Sequence, residues 1–340
     1  MQKAMIFQSS KALGDRLFIS WAPKELKRKH DFDRVYCATW KENACLWENN
    51  PFVDGIEELE KHGDKNVAEL LQEWEKDYKV FDFRWCVEGK YLKFNYQQDK
   101  DLETRRTAAQ GKSWYAVYEQ LGLKGGKPEV YLSDEEKQLL KKFKDGKKRI
   151  LWQPLGSGRN KALPFMPLWI NRIANKYREV ENWIAGNESS PITAFAKVPN
   201  IIDVRGKWSV RNAAIMTSIF DLVVGPESFF VNAAAAFDIP VICLMSHSAS
   251  ENLLNFHRRT WPIKPKCDCH PCYLIHKDFR VVWNLEDRRR ARAQEIECSY
   301  QDPKDHYRVL GYKCCVQIDH NELFDKIHKA LFLRDSLIIS

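Results

Sequence analysis

Several protein classes are excluded by what this sequence lacks. No apolar run in its 340 residues approaches the roughly 20 needed to span a bilayer as a helix. The apolar part of the opening MQKAMIFQSS is shorter than a signal peptide requires, so it reads as a first strand. There is no internal repeat and no low-complexity tract, which sets aside solenoids and disordered linkers. The GxGxxG fingerprint of dinucleotide-binding folds is missing. So is a Walker A loop: Gly156 and Gly158 stand at the wrong spacing, and Lys161 is not followed by Ser or Thr.

What is present describes a globular chain. With 44% hydrophobic and 29% charged residues it has room for two domains. Ten cysteines without a signal peptide point to reduced thiols in a cytoplasm rather than a disulfide framework. The formal charge of +8 favours an anionic partner: a nucleotide, a nucleic acid or a lipid headgroup surface.

The most informative stretch is 221–244, DLVVGPESFFVNAAAAFDIPVICL. Leu222-Val223-Val224 is a buried-strand run, broken by Gly225-Pro226. Glu227 and Ser228 stand where a helix begins, 231–237 is small and helical, and Pro240 resets the chain into strand 241–244. Such a βαβ unit aims a helix N-terminus, with free N–H groups, at the crevice above the strands, where phosphates bind. The four alanines allow that helix to lie close on a sheet. The loop 153–161 repeats the idea after strand 149–152: Gly156 lets a diphosphate approach, Ser157 offers a hydroxyl and Lys161 a charge. A flexible loop with an exposed lysine is the competing reading. Helix 166–177 and strands 182–185 and 201–204 follow. Ser209 can cap a helix to 218, and Trp208 precedes it where it would stack on a base.

The N-terminal half alternates in the same way. Strand 4–8 leads through a loop with Gly14 and Asp15 into a helix 16–29 that Pro23 interrupts or tilts. Asp15 stands at or beside the N-cap, where a carboxylate caps a helix without any chemistry. On a strand's C-terminal edge it also faces the cleft as a general base would. Strands 35–37, 53–59 and 79–83 and helix 67–74 complete a doubly wound pattern. The polar segment 94–106 reads as a surface excursion or an acceptor loop. Helix 114–121, a Gly/Lys/Pro linker at 122–128 and a charged helix 134–144 opening after Ser133 put the domain boundary near 122–148. The basic run Lys24, Lys27, Arg28, Lys29, His30 reads as a solvated helix face, or as a patch for an anionic acceptor. The fold class is therefore α/β, two Rossmann-like doubly wound domains facing across a cleft. The first spans 1–133 and the second 134–320, with a closing helix in 321–340 that returns toward the first.

These pieces, in this order, resemble glycosyltransferase family 9, the ADP-heptose:lipopolysaccharide heptosyltransferases, which have the GT-B fold. The resemblance rests on Gly14-Asp15 with its helix, Lys161 with Pro164 and Trp169, helix 209–218, the 225–244 unit and the cysteine-bearing tail. It implies that Asp15 deprotonates the acceptor hydroxyl in an inverting, metal-independent transfer, with Gly14 and Arg16 on the acceptor side. It further implies that Gly156, Ser157, Lys161, Trp208, Glu227, Ser228 and Asn232 meet a nucleotide-sugar donor, an ADP-sugar or else a UDP-sugar, with no cofactor for transfer. The family shows Asp, Ser or Thr, Gly and a later His where this chain has Glu227, Ser228, Phe229 and Asn232. A longer acid beside Phe229 reshapes the sugar pocket, which leaves heptose open as the sugar.

Cys267, Cys269, Cys272 and Cys298, with Cys314, Cys315, His270 and His276 nearby, have ligand types and C-x-x-C spacing for a structural zinc, or form a reduced thiol cluster. Arg288-Arg289-Arg290 with Arg292 is a basic stretch of the kind that contacts nucleic acid. Three functions follow: a cytoplasmic transferase, at the inner membrane face if peripheral, acting on a glycan or lipopolysaccharide; a bacteriophage transferase glycosylating a hydroxylated DNA base in a host cytoplasm; and a zinc-stapled nucleic-acid-binding protein without catalysis.

Overall fold

Parallel pairing sorts the strands into two sheets. The computed structural model describes residues 2–8, 11–63, 66–84, 101–111, 121–156, 161–187, 198–273, 299–302 and 305–333. The first sheet holds β1 (Lys3–Phe7), β2 (Arg34–Thr39), β3 (Gly55–Glu58) and β4 (Lys79–Asp82), in the order β3-β2-β1-β4. Every pair is parallel, Met5 standing opposite both Tyr36 and Val80. The second holds β5 (Lys148–Trp152), β6 (Val180–Ile184), β7 (Ile201–Asp203), β8 (Leu222–Pro226), β9 (Val241–Leu244) and β10 (Thr260–Ile263), again all parallel, in the order β10-β9-β8-β5-β6-β7. A small antiparallel hairpin, β11 (Ser299–Asp302) with β12 (Asp305–Tyr312), stands apart from both.

Strand order locates the crevices. In each sheet the chain reverses its direction of travel beside its first strand, between β1 and β4 and between β5 and β8. Loops leaving the two strands at such a reversal diverge to opposite faces and open a cleft at the C-terminal edge, where ligands bind in open α/β sheets.

The strands are apolar on both faces because helices cover both. Leu151 and Val223 join a core that runs on into the first sheet through Ile6, Leu17, Phe229 and Ala233. On the other face Ile150 and Trp152 meet Trp169 and Ile173 of the Met166–Lys176 helix and Leu323 and Ile327 of the His320–Phe332 helix. Each fully buried aliphatic side chain of this kind contributes about 1.5–3 kcal/mol. The His320–Phe332 helix thus packs on β8, β9 and β10 of the second sheet. Its apolar stripe matches the face that the Met166–Lys176 helix leaves uncovered.

Local chemistry sets the helix ends. Pro23 splits the expected 16–29 helix into Leu13–Phe18 and Ala22–Lys29, the proline taking the first turn of the second, where its missing N–H costs nothing. Ser133 and Glu136 form a capping box that opens the Asp134–Lys141 helix, and Ser209 caps Val210–Met216 by accepting from the Asn212 N–H. The basic run is occupied by acids: Lys24 lies 2.6 Å from Glu129, Lys27 lies 2.7 Å from Asp54, and Lys29 and His30 approach Glu25.

Candidate active site

The loops at both reversals are built by close backbone approach. A Cβ on Gly225, at the end of β8, would lie 2.8 Å from the Gln153 Cβ at the end of β5, so only glycine lets these strand ends meet. Gln153 is buried and ties the junction, donating to the Leu155 carbonyl at 3.1 Å and accepting from the Phe230 N–H at 3.4 Å. The Gly156 N–H donates to the Lys161 carbonyl, closing the 153–161 loop. The lysine stem then lies on Gly156, where an added Cβ would stand 2.7 Å from the Lys161 Cβ. Its Nζ, directed back across the strands, donates to the Glu227 carbonyl at 3.0 Å and sits 3.9 Å from Glu227 Oε1.

Glu227 is buried at the centre of this edge, 7% exposed. Burial alone pushes its carboxyl up; Lys161, His247 and Ser246 together outweigh that and hold it below the usual range. Ser246 Oγ donates to Glu227 Oε1, and His247 Nδ1 lies 3.0 Å from Ser246 Oγ and 3.5 Å from Oε1. With the Ser246 hydroxyl proton directed at Oε1, the serine oxygen is left to accept, and the Nδ1–H of His247 donates to it. Among the described residues no hydrogen-bond partner meets the buried Glu227 Oε2. Ser228 precedes the Phe229–Ala236 helix in extended conformation, and its side chain makes no capping bond.

The first sheet brings the start of the Leu13–Phe18 helix against the start of the Phe229–Ala236 helix. A Cβ on Gly14 would stand 3.5 Å from both Asn232 Nδ2 and the Phe229 nitrogen. Asn232 Nδ2 donates to the Gly14 carbonyl at 3.1 Å, and its Oδ1 is 3.0 Å from His257 Nε2. Asp15 follows in the helix's first turn, half-buried; the cap position belongs to Ala12, with no side-chain capping bond. Arg16 turns inward. It is 1% exposed and donates to the carbonyls of Gln8 at 2.7 Å and Ala38 at 3.5 Å, because its place in the helix turns it under the loop.

Of the residues singled out from sequence, Gly14, Gly156, Lys161, Glu227, Ser228 and Asn232 thus lie along the facing edges. Trp208 stacks on Trp183 (ring centroids 6.1 Å apart) and leans on Phe220, so one of its faces is already used. Ser157, Cys298, His276 and the arginines at 288–292 lie outside the described residues, as do 94–100 of the expected acceptor loop and 114–120 of the expected helix 114–121. The described part of that excursion, helix Leu102–Ala109, docks on the second domain. Arg105 Nε donates to the Cys272 carbonyl at 2.7 Å, and Arg106 to the carbonyls of Pro271, Asp268 and His270 at 3.1–3.3 Å.

The thiols of the cysteine loop act on one another. A hydrogen bond from Cys267 is the main cause that lowers Cys269 to about 6, with Lys313 and Arg106 also near it, and Cys272 and Cys314 act on Cys267. Among the described residues no group of three or more His, Cys, Asp or Glu side chains is arranged to hold a metal ion. Sequence reasoning passed over Ser246, His247 and His257. The signal was there: Met245-Ser246-His247-Ser248 leaves β9 just as the two recognised loops leave β5 and β8.

No protein-family model matches the chain, and no curated protein matches it in sequence. Solved structures do match. A glycosyl transferase family 9 protein from Veillonella parvula DSM 2008 covers 98% of this chain over 98% of its own, at TM-score 0.63 and 12% identity. The E. coli ADP-heptose lps heptosyltransferase II covers 98% over 100% of its own, at 0.62 and 12%. The iron-containing dodecameric glycosyltransferase TibC from enterotoxigenic E. coli H10407 covers 97% over 77% of its own, at 0.59 and 14%. Two all-parallel sheets, each reversing beside its first strand, with the helices that follow β1 and β8 in contact, give this chain the GT-B-type fold of the family 9 heptosyltransferases.

Proposed function

We propose that the chain is an inverting glycosyltransferase that moves a sugar from a nucleoside diphosphate donor to an acceptor hydroxyl. The observation that carries this is the junction of Gly14 and Asn232, which sets the Asp15 helix against the Lys161–Glu227 edge. The second domain holds the donor, its diphosphate on Lys161, Ser157 and the N–H groups opening the Phe229–Ala236 helix, its base toward Trp208. Asp15 takes the acceptor proton as the acceptor oxygen forms its bond to the anomeric carbon. The bond from that carbon to the diphosphate oxygen breaks on the opposite face, and the diphosphate leaves with the electron pair. Lys161 offsets the charge that develops there, so transfer proceeds without a catalytic metal.

The donor is an ADP-sugar and the acceptor a glycan of lipopolysaccharide type, reached from the cytoplasm. The neighbours' heptose and lipopolysaccharide substrates support that choice. None of the helices described is long and apolar enough to cross a membrane. The DNA acceptor is the rival, and the basic run at 24–30 gives it little, being paired with Glu129, Asp54 and Glu25. The cysteine loop has thiol chemistry for a structural zinc, but the described thiols do not present three ligands to one point, and no step is assigned to it.

Thermal unfolding against ADP-, UDP-, GDP- and CMP-sugars tests the reading. A ligand at a hundred times its dissociation constant adds about 2.7 kcal/mol. Stabilisation by one nucleotide class, lost in Lys161→Ala, is the expected result. A flat response to all four rejects the donor site, and DNA binding that weakens steeply with salt would transfer the proposal to the rival acceptor.

A further inference from the structure

The turn at 268–272 lies outside any strand or helix, and its carbonyls are met from far away in the chain. Arg105 Nε donates to Cys272 at 2.7 Å. Arg106 Nε donates to Pro271 at 3.1 Å, and its Nη2 to Asp268 at 3.1 Å and His270 at 3.3 Å. Both arginines stand on the Leu102–Ala109 helix, which by chain order belongs to the first domain. That helix is held at its end as well. Asn252 Nδ2 donates to the Ala109 carbonyl at 3.1 Å, and the Tyr273 hydroxyl donates to Asn252 Oδ1 at 2.7 Å. Ala109, Ala249 and Tyr273 pack as one buried cluster. Irregular backbone needs partners for its polar groups, and the planar guanidinium meets several at fixed angles.

The same turn holds the donor edge. His270 Nδ1 lies 2.8 Å from the Ser246 carbonyl, which can only accept, so that nitrogen carries the proton and donates. The Tyr273 N–H donates to the His247 carbonyl at 2.9 Å, and the Ser246 hydroxyl donates to Glu227. We infer that Arg105 and Arg106 are positioning residues: they clasp the first domain's helix onto the 268–273 turn, and through that turn they set the 246–247 loop. Resting on the donor-site reading above, this makes helix docking and donor binding favour one another, since coupling between two sites is reciprocal. The acceptors are neutral carbonyls, so the fork of the guanidinium matters more than its charge.

Hydrogen exchange of the full chain, read by mass spectrometry, tests the clasp first without ligand. Arg106→Lys keeps the charge and loses the fork. It should speed exchange by about tenfold in both the Leu102–Ala109 helix and segment 245–253, while β1 and β5 stay as they were. Tyr273→Phe removes only the hydroxyl bonded to Asn252; it should act in the same two places to a smaller degree, and it serves if the lysine variant does not fold. Faster exchange in the helix alone, or faster exchange throughout the chain, overturns the coupling and leaves Arg106 a structural residue. The second arm adds ADP, UDP or GDP, whichever stabilises the wild type most. That diphosphate should slow exchange in the helix, and Arg106→Lys should weaken its binding by about three- to tenfold. A diphosphate that binds without slowing the helix overturns the link between clasp and edge. If none of the three binds, the donor reading falls, and the clasp stands or falls on the unliganded arm.

Discussion

Asn232 hands a hydrogen bond from one half of the molecule to the other. Its amide nitrogen donates to the Gly14 carbonyl at 3.1 Å, so its oxygen is the acceptor for His257 Nε2–H at 3.0 Å. Gly14 is one residue from Asp15, and Asn232 lies on the helix that begins after Glu227 and Ser228. The relay therefore fixes the proposed base relative to the proposed donor edge.

Asn232→Ala should break both bonds and strand a buried imidazole N–H. The expected cost is about 1–3 kcal/mol, seen as a lower Tm. Transfer rate should fall further than donor affinity, because the Gly14–Asp15 turn loses its tether while Lys161 does not. Kinetics and titration calorimetry on the same preparation check this. Equal loss in both would place Asn232 in the donor site alone.

Asp15→Asn should reduce transfer by on the order of a hundred- to ten-thousand-fold with donor affinity near normal. The Tm of the variant, measured alongside, separates loss of the base from loss of fold. A clear loss of stability with activity retained would return Asp15 to a structural role.

His257 should make the fold acid-sensitive. Burial lowers it from 6.5 to about 4, so between those values the unfolded chain binds a proton that the folded chain refuses. Its stabilisation is complete above pH 6.5 and is lost as pH falls toward 4, on the order of 3 kcal/mol in all. Denaturant unfolding at pH 7 and pH 4.5 measures the slope. His257→Gln, which can still donate to Asn232, should flatten it, leaving the further loss at lower pH to carboxylates such as Glu227.

Arg211 should be a stability hot spot without a catalytic effect. It is 7% exposed, forks onto Glu136 at 2.7 Å, and reaches the Tyr131 carbonyl at 2.5 Å and the Cys45 carbonyl at 3.3 Å. Arg211→Ala leaves Glu136 without its buried partner, at a cost of about 3–5 kcal/mol. Arg211→Lys should recover little, lacking the fork. Chemical denaturation reads both, and an unchanged midpoint would show the contact to be idle.

The sequence by itself determined the alternation of strands and helices. Apolar runs such as 241–244 and 67–74, Pro23, and the caps at Ser133 and Ser209 act within a few residues of where they stand, so their effects can be read locally. It also placed Lys161 and Glu227 where the chain leaves a strand, because glycine and charge after a buried run mark such loops; Gly14 and Asp15, read as loop, lie in the first turn of the Leu13–Phe18 helix. Only tertiary structure decided what those loops meet. That Arg16 turns inward, that the His320–Phe332 helix packs on the second sheet, that Asn232 reaches Gly14 218 residues away, and that Ser246 joins Glu227 to His270 all depend on strand order. Strand order is a long-range choice, made by which apolar faces cover one another, and no single stretch of residues encodes it.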